Sequence, residues 1–383
     1  MSVDFHQEFN ESSKKVISSG QMPERFSLKQ NSNYPFLNPS YIASRLEYSM
    51  MKSIDNLDEE FQKFEKKFVN SHNAIYWASD YNDVFSNLKY LIKAQKAKSV
   101  RLPNVNNSTI FRELGIKYFL HEEKISLSED AAMQFFPVDM LFSDNGSILL
   151  LNQSVNSFQL LSNSKTNVFF ATINQILCNS DWAEVIQQIV SYRNNAGRQD
   201  MILFNGSSNC NNYLFIIDNQ RTCLLQHKEL RPALTCLGCG RCNDVCPVYQ
   251  TIGDEPYNNV FTGPIAHVSL PYLETVDTYK HLTYACTLCG RCEEVCPISL
   301  PIRDMIIWSR QKFVNDDSID KSLRRVISAL KKNLTNRGKL NRSKFMRKHL
   351  FYKHISSEVS KSRRMPPLAH DSFNKEYKTK TES

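Results

Sequence analysis

The chain has 383 residues, 41% of them apolar, and a formal net charge of +8 at pH 7. At roughly 150 residues per domain, this length allows two domains with cores of their own. No run of about 20 apolar residues is present, and the first residues show no leader pattern, so we expect a soluble cytoplasmic protein rather than a membrane-spanning or secreted one. Eleven cysteines in such a protein indicate metal binding more than disulfides.

The positive charge is concentrated near the carboxyl end of the chain. Residues 321–383 hold 18 Lys and Arg against 4 Asp and Glu, a balance of +14, so residues 1–320 carry the remaining −6. An evenly basic surface would indicate nucleic-acid binding, whereas this distribution predicts a mildly acidic body with a basic tail. Such a tail suits docking on a partner, contact with an anionic membrane surface, or simple solvation.

Residues 1 to about 40 lack periodicity and are predicted to form a poorly ordered arm or short helices. Apolar residues three and four apart from Leu46 to Phe68 predict one helix that docks on the next domain or forms a weak coiled coil. Strand and helix patterns then alternate to residue 228, which predicts an α/β domain. The predicted strands are Asn73–Ala78, Ser99–Leu102, Lys117–His121, Met140–Phe142, Ser147–Leu151, Val168–Ala171, Met201–Phe204 and Tyr213–Asp218, and the predicted helices are Asp83–Ala94, Ser108–Leu114 and one capped by Asp181.

Two cysteine runs, Cys236–Pro247 and Cys286–Pro297, form an internal repeat with eight identities in twelve positions. Each has the spacing C-x2-C-x2-C-x3-C-P, which is the spacing of bacterial ferredoxins with two 4Fe-4S clusters. In that arrangement three closely spaced thiolates bind one cluster, and the fourth cysteine of the run binds the other. The predicted ligand sets are Cys236, Cys239, Cys242 and Cys296 for the first cluster, and Cys286, Cys289, Cys292 and Cys246 for the second.

Two neighbouring one-electron centres suit electron relay better than substrate chemistry. The alternative is zinc, because paired C-x2-C motifs also build four-sulfur zinc sites. Three cysteines at two-residue gaps and a Cys-Pro, occurring twice, exceed what a tetrahedral zinc site requires, so the spacing favours iron-sulfur clusters.

Other residues near or outside these runs have less specific roles. Arg241 and Arg291 occupy equivalent positions and either offset the negative charge of a cluster or are simply solvated. His267, after Gly263-Pro264 in the segment between the runs, could serve a quinone or a partner, or be structural. Three cysteines have no partner spacing and are predicted core or surface thiols: Cys178, Cys210 and Cys223.

The chain resembles a known family, the iron-sulfur B protein of the bacterial L-lactate utilisation system. The resemblance lies in Cys236–Tyr249, Gly263-Pro264-Ile265 and Cys286–Ile302, and extends to the Asn145–Ile148 hairpin and to Pro366–Ala369. It implies a LUD domain of the sugar-isomerase and CoA-transferase type, two 4Fe-4S clusters, and other subunits of a complex that oxidises L-lactate to pyruvate. It assigns no catalytic residue here.

The expected organisation has four parts: an arm and docking helix (1–65), a LUD-like α/β domain (66–228), an α-helical two-cluster ferredoxin-type domain (229–312) and a basic tail (313–383). The leading hypothesis is an electron-transfer subunit for lactate oxidation. A relay subunit of a quinone-linked dehydrogenase or heterodisulfide-reductase-like complex is the alternative. Nucleic-acid binding is disfavoured because the tail has few aromatics, and the chain has no Gly-rich dinucleotide fingerprint.

Overall fold

The computed structural model describes residues 39–69, 73–97, 99–102, 117–120, 133–151, 161, 164–191, 201–206, 210–257 and 261–315, together with positions 325, 328, 331, 332, 335 and 377. The chain divides into two compact units, one formed by Ser12–Ser309 and the other mainly by Arg310–Ser383. Within the described residues, no helix combines the length and apolar character needed to cross a membrane. The predicted helix at Ser108–Leu114 and the tail sequence Pro366–Ala369 lie outside these residues.

Two helices, α1 (Pro39–Asp55) and α2 (Leu57–Phe68), replace the single predicted helix, so that prediction is wrong in one respect. The break falls at Asn56, whose side-chain amide donates to Lys52 O at 2.7 Å and whose backbone leaves helical geometry. The apolar stripe is nevertheless buried, and the rings of Phe64 and Phe68 stack 5.3 Å apart. The register of the stripe therefore survives the break.

The described strands form two sheets. The strands are β1 (Asn73–Ala78), β2 (Ser99–Leu102), β3 (Lys117–Leu120), β4 (Met133–Pro137), β5 (Met140–Phe142), β6 (Ser147–Leu151), β7 (Thr166–Thr172), β8 (Ile176–Leu177), β9 (Met201–Phe204) and β10 (Asn211–Ile217). A six-stranded parallel sheet, in the order β1-β10-β7-β4-β2-β3, forms the larger layer. A smaller four-stranded sheet, in the order β8-β5-β6-β9, contains the predicted hairpin across Asp144-Asn145-Gly146.

Helices α3 (Tyr81–Ala94) and α4 (Ala183–Ser191) accompany these sheets, which confirms the predicted α/β class. Helix α3 is capped by the Asp80 carboxylate, which accepts from Asp83 N at 2.9 Å. The predicted cap at Asp181 is wrong, because the Asn179 side chain accepts from Asp181 N and starts a 3₁₀ turn before α4.

A row of polar side chains crosses five strands of the larger sheet in register: Asn73, Asn212, Asn167, Gln134 and Arg101. All five are at most 5% exposed. The Asn212 amide donates to Asn73 Oδ1 at 2.8 Å and accepts from Asn167 Nδ2 at 3.1 Å. Hydrogen bonding lets the amides of Asn73, Asn167 and Asn212 remain buried, because an unsatisfied buried polar group is costly.

Replacing Asn212 by Ala should destabilise the protein by about 2–4 kcal/mol, because the substitution leaves amide groups of Asn73 and Asn167 buried without this partner. The measurement is the urea midpoint of the loss of sheet structure. Asn82→Ala is the control, since Asn82 is exposed and only its backbone oxygen is used, by the Ser86 hydroxyl. A change of stability no larger for Asn212→Ala than for Asn82→Ala would contradict this account.

The segment that carries the cysteine runs is helical, as predicted. Its elements are α5 (Arg221–Leu225), a 3₁₀ turn (Arg231–Thr235), α6 (Arg241–Val245), α7 (Pro247–Ile252), α8 (Gly263–Leu273), α9 (Val276–Ala285), α10 (Arg291–Glu294) and α11 (Ile302–Asn315). Gly263-Pro264 starts α8, where a proline at the first position lacks only a hydrogen bond that a helix start does not need.

One continuous apolar core joins the smaller sheet to the cysteine segment. Phe142 and Leu149 of that sheet and Ile186 of α4 share this core with Ile298 and Leu300, which follow the second run. At the larger sheet, the Asn174 amide after β7 donates to Leu234 O at 2.8 Å, two residues before Cys236. The Arg221 guanidinium holds Asn174 in turn, through Nε at 2.8 Å from its Oδ1. These contacts fix where the first cysteine run begins.

Candidate metal centre

The two cysteine loops have the same backbone form, as the sequence repeat predicts. Gly240 and Gly290 precede α6 and α10 with φ of 78° and 81°. The third residue of each run also has positive φ, at 64° for Gly238 and 56° for Leu288. The latter is unusual for a residue with a branched side chain, and such strain is commonly found at functional sites.

In each run, backbone N–H groups point at the sulfurs of the first and the fourth cysteine. The N–H groups of Gly238 and Leu288 lie 3.4 Å from the Sγ atoms of the first cysteines of their runs. Tyr249 N and Leu300 N lie 3.5 and 3.4 Å from the sulfurs of the fourth cysteines, Cys246 and Cys296. Hydrogen bonds of this kind stabilise a thiolate and tune a bound cluster.

The first predicted ligand set is brought together around Cys242. Burial, followed by the nearby sulfurs of Cys236, Cys239 and Cys296, raises the pKa of the Cys242 thiol, with Cys292 a weaker neighbour. The pKa of Cys296 is also raised, by burial first, and Cys239 contributes to it. Cys296 therefore faces the first run, 50 or more residues before it in the chain, rather than only its own run.

The second predicted set lines one pocket that is partly open to solvent. The four thiols in its lining belong to Cys246, Cys286, Cys289 and Cys292. Burial, then Cys286, Glu293, Cys246 and Cys289, raise the pKa of Cys292 to about 12. In the described part of the chain, no three Cys, His, Asp or Glu side chains are spaced to hold a single metal ion.

Desolvated thiols in mutual contact resist ionisation, since each new thiolate would be poorly hydrated and would repel its neighbours. A bound group that carries positive iron removes both penalties, and thiolates are the usual ligands of iron-sulfur clusters. The converging thiols, the pocket and the N–H donors thus fit 4Fe-4S clusters. When bound, such a cluster supplies a one-electron carrier.

Charged residues surround the two sets unequally. Near the first set, burial raises the pKa of the Cys239 thiol, the backbone N–H and the charge of Arg241 act against this rise, and Asp244 adds to it. Burial also raises the pKa of Cys296, and Glu47 adds to that rise. Arg291, the repeat equivalent of Arg241, is exposed. Sequence analysis missed the residue that instead lines the second pocket, Arg303.

The remaining predicted residues lie apart from the thiol sets or pack beside them. His267 is fully buried, and its Nε2 lies 2.9 Å from the hydroxyl of Tyr257, with the two rings stacked. Cys210 is buried beside Asn167, Cys178 is half-buried 3.4 Å from the Ser49 hydroxyl, and Cys223 is half-buried beside Gln220.

Residues 232–300 match the family model of the 4Fe-4S dicluster domain. The chain carries a 4Fe-4S domain. Because this match includes all eight cysteines of the two runs, it supports iron-sulfur clusters in place of the zinc alternative.

Curated relatives named Lactate utilization protein B share 29% identity with the chain over 198 residues. This level of identity holds for the relatives from Bacillus thuringiensis (strain Al Hakam), Bacillus cereus (strain B4264) and Bacillus anthracis (strain A0248). The match covers 49% of this chain and 41% of each relative, so the chain spans about two fifths of the length of the relatives it matches. The predicted resemblance to this family is confirmed.

Two solved structures also match parts of the chain. A DUF162 family protein from Deinococcus radiodurans has a TM-score of 0.34 and 16% identity, covering 42% of this chain and 98% of its own. Ribose 5-phosphate isomerase from Plasmodium falciparum has a TM-score of 0.19 and 13% identity, covering 36% and 65%.

Proposed function

We propose that the chain is an electron-transfer protein that holds two 4Fe-4S clusters, one on Cys236, Cys239, Cys242 and Cys296 and the other on Cys286, Cys289, Cys292 and Cys246. The observation that carries this proposal is the meeting of Cys246 with Cys286, Cys289 and Cys292 in one pocket, although 39 residues separate Cys246 from Cys286. The electrostatic influence of Cys239 on Cys296, and of Cys296 on Cys242, supports the reciprocal arrangement.

The electrons come from the oxidation of L-lactate to pyruvate, carried out by a partner subunit. The support is the similarity to proteins named Lactate utilization protein B. Removing two electrons from a hydroxy acid suits two one-electron carriers, because each cluster accepts one electron. The predicted organisation into an arm, an α/β domain, a cluster domain and a tail is part of this proposal, with the tail serving to dock partners.

The first test is anaerobic isolation of the chain followed by iron analysis, visible absorption and electron paramagnetic resonance. We expect about eight iron atoms per chain from two 4Fe-4S clusters, a brown colour, and uptake of two electrons from dithionite. A colourless chain that contains zinc would overturn the proposal.

The second test separates the relay from the lactate chemistry. L-Lactate should not reduce the clusters of the isolated chain, but it should reduce them in a complex purified with its native partner subunits. Cys292→Ser in the same complex is the control, because it removes a ligand of one cluster. Reduction of the isolated chain by L-lactate would show that it oxidises lactate itself, and co-purification only with membrane cytochromes would favour a quinone-linked complex instead.

A further inference from the structure

The second cysteine loop carries a cation that the first loop lacks at the corresponding place. Arg303 lies seven residues after Cys296, and the residue seven after Cys246 is Gly253. The Arg303 side chain reaches back to the loop, where a Cβ added to Gly290 would lie 3.2 Å from three of its guanidinium atoms. Glycine at position 290 is therefore what lets the guanidinium lie against the loop.

Glu293 fixes Arg303 in that place through two contacts. Its Oε1 accepts from Arg303 N and its Oε2 from Arg303 Nε, both at 2.6 Å. The equivalent residue of the first run is Asn243, which carries no charge and donates to the Thr262 hydroxyl at 2.8 Å. The ion pair is thus specific to the second loop.

Arg303 lines the pocket that contains the four thiols of the second set, whereas Glu293 does not. The Glu293 charge nevertheless acts on Cys292, one of the four thiols of this set. Because Arg303 pairs with Glu293 at the wall of the pocket, it offsets a carboxylate that would otherwise oppose added negative charge there.

Contact with solvent and the positive charge of Arg303 act on the reduction potential of a cluster at the second set in the same direction. Cys289 is the one exposed residue among the eight cysteines of the two runs. Reduction makes a cluster more negative, and both a nearby cation and contact with water stabilise added negative charge. Each effect raises the reduction potential of the second cluster.

We propose that Arg303 is a positioning residue that offsets the Glu293 charge beside the second thiol set, and that a cluster bound there would have a higher reduction potential because of it. Reduction of that cluster would take up one electron and no proton. The electron would leave past the exposed Cys289 to an oxidised one-electron carrier protein. This inference rests on the proposed function, since it requires both clusters.

The test is a redox titration of the whole chain, monitored by electron paramagnetic resonance, with Cys289→Ser used to identify the signal of the second cluster. Arg303→Gln should lower the potential of that cluster by up to about 59 mV, which is a tenfold change in a one-electron equilibrium. The first cluster should not change. Arg303→Lys, which keeps the charge but not the fork of hydrogen bonds, should restore part of the shift.

Lys280→Gln is the matched control, because Lys280 also pairs with a carboxylate, Asp277 at 2.9 Å, yet does not line the pocket. Equal shifts in both variants, or no shift in Arg303→Gln, would overturn the inference while two signals persist. Absence of two cluster signals in the unaltered chain would instead overturn the proposed function.

Discussion

Cys246→Ala should remove or convert the second cluster, although the three remaining ligands of that cluster lie in the other run. The iron content should fall from about eight to about four atoms per chain, and the remaining signal should be that of the first cluster. The physical reason is that Cys246 lines the pocket of Cys286, Cys289 and Cys292, and burial followed by the charges of Cys286 and Cys289 raises the pKa of its thiol.

Cys296→Ala is the reciprocal variant and should affect the first cluster, since the charges of Cys296 and of the first-run thiols act on one another. Cys223→Ala is the control, because this half-buried thiol lies outside both sets and should leave iron content unchanged. If each variant instead lost the cluster of its own run, the ligand sets would be local and the crossed arrangement would be wrong. The measurements are iron and sulfide content with magnetic resonance of the reduced protein.

Removing iron with a chelator under oxidising conditions should unfold the cysteine segment while the larger sheet persists. Burial, followed by the charges of neighbouring thiols, raises the pKa of Cys242 and of Cys292, so these thiols would lie close together without the cluster that they would bind. Binding of a group to the folded state alone stabilises that state, so its removal withdraws the stabilisation. Two apolar clusters pack on the larger sheet, one of them shared with the smaller sheet, and neither contains a cysteine of the two runs. We therefore expect this sheet to persist without iron.

Limited proteolysis checks this prediction, with new cleavage sites expected between Cys236 and Cys296. Circular dichroism should show a loss of helix larger than any loss of strand. The control is the same treatment followed by anaerobic restoration of iron and sulfide, which should restore protection. An iron-free chain with unchanged cleavage would mean that packing alone maintains the segment.

The repeat let the sequence predict the two cysteine ligand sets, and this assignment stays a prediction. Spacing alone predicts that Cys246 and Cys296 serve the distant cluster, because the fourth cysteine follows a turn of helix and points away from the first three. Strands with short apolar runs, such as β1 and β6, were also predicted with their correct bounds.

Strand β4 escaped prediction for a physical reason. Its sequence, Met133-Gln-Phe-Phe-Pro137, is buried on both faces at four of its five positions and therefore lacks the alternation that indicates a half-exposed strand. The break between α1 and α2 was missed because the apolar stripe continues across Asn56. Periodicity reports which face is buried and does not report whether the backbone stays continuous.

Arg303 was missed because its role depends on a helix that returns to the loop. A signal was present, since extending the repeat alignment seven residues beyond the fourth cysteines pairs Arg303 with Gly253. An arginine in an amphipathic helix is ordinarily interpreted as a solvated side chain. The position of the guanidinium over Gly290 distinguishes an arginine that acts on the pocket from a solvated one.

The apolar core shared by the smaller sheet and the cysteine segment limits how this chain can be reused. Small ferredoxins are attractive parts for engineered redox fusions, and residues 232–300 would be the natural piece to excise. Excision would expose Ile298 and Leu300 to water, because Phe142 and Leu149 would be left behind. A transplantable electron carrier made from this protein should therefore retain the smaller sheet.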